Sequence, residues 1–69
     1  MMFVEHIAYS PIEDKNISRI SVANDRGHEY FMLIPCEGGK AYREARLTAL
    51  ECLVEAIQMG LPPGQVRIN

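Results

Sequence analysis

The chain has no tryptophan, only two cysteines, and an aromatic content of 7% over 69 residues. Two cysteines, Cys36 and Cys52, permit one disulfide at most, which excludes a disulfide-stapled scaffold. With no secretory leader and no long apolar run, they read as free thiols in a reducing, cytoplasmic setting. Met1-Met2-Phe3-Val4 is interrupted at once by Glu5 and His6. That is too short for an anchor, and no membrane partner is expected. Cationic surplus is also missing. Seven Lys and Arg stand against nine Asp and Glu, a net charge of −2. The balance argues against a generic nucleic-acid binder, and it is too mild for a DNA mimic.

Catalytic and metal-binding patterns are equally scarce. His6, His28, Cys36 and Cys52 form no C-x₂-C or H-x₃-H pair, so no metal is expected. Gly38-Gly39-Lys40 lacks both the upstream glycine of a P-loop and a hydroxyl residue after the lysine. No paired carboxylates and no Ser–His–Asp set stand out. At this length there is little room for a cleft that encloses a substrate. The expectation is no enzyme, no catalytic residue and no cofactor.

What the sequence does hold is a single small domain over residues 1–69, with an apolar fraction of 48%, too high for a disordered chain. Residues 3–9 alternate weakly and favour a first strand, stopped by Ser10-Pro11. Residues 12–16 read as a polar loop and residues 17–23 as a second strand, with Ile20 and Val22 on one side and Arg19 and Ser21 on the other. Asn24-Asp25-Arg26-Gly27 is a hairpin connection in which Gly27 supplies a positive φ. Residues 28–34 return as a third strand ended by Pro35. Its core, Tyr30-Phe31-Met32-Leu33-Ile34, is apolar on both faces, so both faces require cover.

A helix is expected over residues 40–59, because Tyr42, Ala45, Ala49, Leu50, Leu53, Ala56 and Ile57 recur at three- and four-residue spacing. Gly60 is placed to cap it, Leu61 to fold back, and Pro62-Pro63 to forbid continuation. Residues 65–69 alternate and read as a short edge strand or a tail. The fold class expected is α+β: a three-stranded antiparallel sheet, with a possible short fourth strand, packed on one C-terminal helix.

The helix opens against its own dipole. Lys40, Arg43 and Arg46 crowd its first two turns, where acids would be favoured, while Glu51 and Glu55 lie further along. Gly38, Gly39, Lys40, Arg43 and Arg46 are therefore the candidate site for an anion or a partner. The alternative is a solvated turn. Gly-Lys-Ala-Tyr-Arg-Glu-Ala-Arg-Leu-Thr-Ala-Leu, following a hairpin and strand, resembles the second half of a double-stranded-RNA-binding domain over residues 17–59. That resemblance implies a β-β-β-α topology, phosphate-contacting roles for Lys40 and Arg43, and packing roles for Ala45 and Ala49.

Arg46 falls within the apolar stripe, either snorkelling at the core edge or held for a partner's acid. Glu51 and Glu55 repel mildly at i,i+4. Two helices packed antiparallel would set Arg43 and Arg46 of one against these acids of the other, as in a homodimer. Tyr30, Met32 and Ile34, with Glu51 and Glu55, are the interface candidates. The function expected is a non-enzymatic protein-binding regulator or inhibitor of bacterial or phage type, an anti-CRISPR protein being one such. The alternatives are a small nucleic-acid binder using the basic helix start and a structural homodimerisation module.

Overall fold

The computed structural model describes residues 2–36 and 38–67. Strands β1 (Met2–Ser10), β2 (Lys15–Ala23) and β3 (Glu29–Pro35) form an antiparallel meander, followed by helix α1 (Gly39–Gln58) and a two-residue strand β4 (Gly64–Gln65). The sheet order is β1-β2-β3-β4, with β4 parallel to β3. This is the α+β architecture that the sequence pattern implies.

Both tight turns are set by short polar side chains. After β2, the Asn24 side-chain oxygen accepts hydrogen bonds from the Arg26 and His28 amides at 3.0 Å each, an Asx turn completed by Gly27 at φ 79°. The β1–β2 turn is tighter than the expected loop over residues 12–16. Tyr9 donates its hydroxyl proton to Asp14, which takes φ 53°, and pairing resumes at Lys15.

Alternation then decides the layers. Ser18, Ile20 and Val22 of β2, with Tyr30, Met32 and Ile34 of β3, point to α1 and are buried. They meet Ala49, Leu53 and Ala56 of the helix, and Ile20 and Leu53 are fully enclosed at 0% exposure. Small alanines let the helix approach the strands closely. Alpha-helix 1 ends in a Schellman motif: Gly60, at φ 71°, donates to the Ile57 carbonyl and Leu61 to the Ala56 carbonyl, both at 3.1 Å. The Tyr30 hydroxyl donates to the Leu61 carbonyl at 2.7 Å, and the Val66 amide to Phe31 at 2.8 Å. These two bonds lay residues 61–66 beside β3. Of the strand or tail expected over residues 65–69, only Gln65 pairs within β4, and Ile68 and Asn69 lie outside the described residues.

One expectation is corrected here. Tyr30, Met32 and Ile34 are core residues beneath α1, not an interface. The apolar run in β3 does have a second, uncovered face, but Phe31 and Leu33 form it.

Candidate functional site

The cations of the helix opening are not gathered into one site. Gly38 caps α1 at φ 76° with no side-chain hydrogen bond, and the first turn contains no acid. Lys40 lies 3.9 Å from Glu44 in an exposed i,i+4 pair. Arg46 turns down to the sheet instead, 3.6 Å from the Glu5 carboxylate, with its guanidinium 5.9 Å from the Tyr42 ring centroid. Arg43 alone points outward without a partner among the described residues. A phosphate would therefore meet Arg43, the exposed Lys40 and backbone amides, without Arg46. Glu51 and Glu55 are exposed on the helix. Arg46 already has an acid within its own chain, so the antiparallel helix pairing suggested by the charge pattern loses one of its two cations.

The sequence pattern did not reveal what Arg46 joins. Tyr42 donates to the Glu5 carboxylate, and the buried Ser18 hydroxyl lies 2.8 Å from the same phenol oxygen. Burial first, and then donation to Glu5, push the Tyr42 phenol above its ordinary pKa of 10.0. Glu5 shares the inward parity of Phe3 and Ile7 in β1, and an acid at that position in an apolar strand was the available signal.

The opposite sheet face is where the fold leaves apolar surface open. Val4, His6 and Ala8 of β1, Ile17 and Arg19 of β2, and Phe31, Leu33 and Pro35 of β3 share this face by register. Among the described residues no element covers it, and Leu33 is 50% exposed. The Arg19 guanidinium crosses the Phe31 ring at 4.1 Å and ends 2.6 Å from Glu29. That hydrogen bond holds the Glu29 carboxyl below the usual range. Beside this bridge lies an open concavity of about 470 Å³, floored by Ala8, Ile17, Leu33 and Pro35 and rimmed by His6, Lys15, Glu13 and Arg19.

Cys36 and Cys52 are free, half-buried thiols. Among the described residues no three His, Cys, Asp or Glu side chains gather as metal ligands, and no helix is long and apolar enough to cross a membrane. No family model, curated protein or solved structure matches the chain.

Proposed function

We propose that the protein is a non-enzymatic regulator or inhibitor that binds another protein through the uncovered face of its sheet. One observation carries this reading: Ile17, Phe31 and Leu33 lie on a sheet face that nothing covers among the described residues, and Ile17 and Leu33 line a concavity with a charged rim. An apolar floor inside a polar rim suits an anchor side chain from a protein partner, since a few such buried anchors supply most interface energy. Lys15 at the rim favours an acid beside that anchor. The functional class proposed is that of the accessory regulators and inhibitors of bacteria and their phages, anti-CRISPR proteins included.

Retention on nucleic acid through Lys40 and Arg43 is the competing outcome. The test is tagged capture from host lysate, with and without nuclease, using wild type, Leu33→Asp and the double variant Lys40→Glu/Arg43→Glu. Arg46 is left in place because it holds Glu5. The proposal expects a discrete protein that survives nuclease, is lost with Leu33→Asp and is kept by the double variant. Capture that vanishes with nuclease or with the charge reversal, while Leu33→Asp retains it, overturns the proposal.

A further inference from the structure

The two edges of the sheet are built differently. Beyond β3, the edge is blunted by Pro62-Pro63 and by β4, which is two residues long. The other edge is β1, nine residues in unbroken register with β2, from Met2 against Ala23 to Ser10 against Lys15. Natural sheets protect an exposed edge with lysine, proline, a bulge or brevity. Beta-strand 1 has none of these; its one acid, Glu5, points inward and is taken up by Tyr42 and Arg46 of its own chain. It also carries Met2, Phe3, Val4, Ile7 and Tyr9, five of the ten exposed large apolar side chains among the described residues.

We propose that β1 is the self-association edge, pairing antiparallel with β1 of a second copy about a two-fold axis at His6. Residues directly opposite in an antiparallel pair share a face. Centring on His6 therefore sets Val4 against Ala8, Phe3 against Tyr9 and Glu5 against Ile7 of the second copy. All nine residues are paired and no acid meets an acid. Shifting the centre to Glu5 opposes two carboxylates and strands Tyr9 and Ser10. Shifting it to Ile7 strands Met2 and Phe3. Beta-strand 1 contains no lysine or arginine, and His6 meets His6 of the second copy at the axis.

The occupant is a second copy because in this register the edge pairs along its whole length, sets Phe3 against Tyr9, and opposes no carboxylate to another. The blunted β3–β4 edge then ends the assembly at two, a closed dimer with a continuous eight-stranded sheet and not a fibre. The helices remain on one face, and the two uncovered faces become neighbours. This pairing stands independently of the protein-binding role proposed above, because its readout is mass and not capture.

The test is sedimentation equilibrium on wild type, Val4→Lys, Ala8→Lys and the double variant Val4→Lys/Ala8→Glu, each checked for folding by circular dichroism. Wild type should sediment at twice the chain mass of 7.8 kDa. Either single lysine should shift the dissociation constant at least tenfold toward monomer. The double variant should restore the dimer, because positions 4 and 8 oppose each other only across the axis at His6. A wild type that is monomeric at about 100 μM, well above a micromolar dissociation constant, overturns the proposal. So does a dimer indifferent to Val4→Lys or a double variant that is not rescued.

Discussion

The Tyr42 phenol donates to the Glu5 carboxylate, tying the first turns of α1 to the middle of β1. Beta-strand 1 lies outside the cover of the helix, whose packing is against β2 and β3. Its side-chain ties to α1 run through Glu5, which meets both Tyr42 and Arg46, and Ser18 of β2 completes the cluster. The four polar groups satisfy one another, and no buried side-chain nitrogen or oxygen lacks a partner among the described residues.

Removing the phenol oxygen should therefore cost more than one average hydrogen bond. Tyr42→Phe leaves the wholly buried Ser18 hydroxyl and the Glu5 carboxylate each short of a partner. The expected loss is about 1–3 kcal/mol, the cost of leaving a buried polar group unsatisfied. Urea denaturation should show a lower midpoint at unchanged slope.

The same group predicts an alkaline limb. An unfolded tyrosine ionises at the ordinary 10.0, whereas burial and the donation to Glu5 keep Tyr42 protonated to higher pH. The stability it contributes is whole below pH 10.0 and is lost as pH rises through the raised, folded-state value. Tyr9 is also raised, through its hydrogen bond to Asp14, but it is mostly solvent-exposed. Midpoints measured from about pH 9 upward should fall less steeply for Tyr42→Phe than for wild type, and Tyr9→Phe should keep most of the decline.

An acid-side counterpart lies on the uncovered face. Hydrogen bonding to Arg19 lowers the Glu29 pKa from 4.5, so its contribution is present above 4.5 and fades as pH falls through the lowered value. Both side chains are solvent-accessible, and the effect on stability is small. Arg19→Gln should raise the Glu29 titration midpoint toward 4.5, read by carboxyl-carbon NMR. The same variant should leave the Phe31 ring more exposed, since the guanidinium lies over it.

Much of the fold was legible because it rests on local patterns. Alternation in β2, the stripe from Tyr42 to Ile57 and Gly60 before Pro62-Pro63 all act within a few residues of one another. The candidate site was less so. The doubly apolar run in β3 showed that two faces needed cover, but not which parity would meet the helix. That choice is fixed by Ile20 and Val22 across the register, which makes Tyr30, Met32 and Ile34 core and leaves Phe31 and Leu33 outside. Arg46 and Glu5 lie at opposite ends of the β-to-α order in sequence, and no periodicity joins them. The basic helix start was visible as charge, yet its three cations go in different directions once Glu44 and Glu5 are in place.

At the far end of α1, Gly60 sits at φ 71° in the left-handed region, and a Cβ there would meet nothing within 4 Å. Gly60→Ala should thus cost backbone strain alone, about 1–2 kcal/mol. For a domain of this size each kcal/mol is worth roughly 4–8 °C in Tm. A thermal melt should show that loss as a lower midpoint with the transition still cooperative.

Core truncation should be far more damaging. Leu53 is fully enclosed against β2 and β3, and Leu53→Ala should cost about 2–5 kcal/mol. A 69-residue domain has only about 3–10 kcal/mol to lose. Calorimetry should find the variant close to unfolded at 37 °C, whereas Ile20→Val, at about 1 kcal/mol, keeps a cooperative melt. Self-association adds a second handle. If β1 pairs between copies, the wild-type midpoint rises with protein concentration, because association draws on the folded state alone. That dependence should disappear in Val4→Lys, which touches the edge and leaves Leu53 and its neighbours untouched.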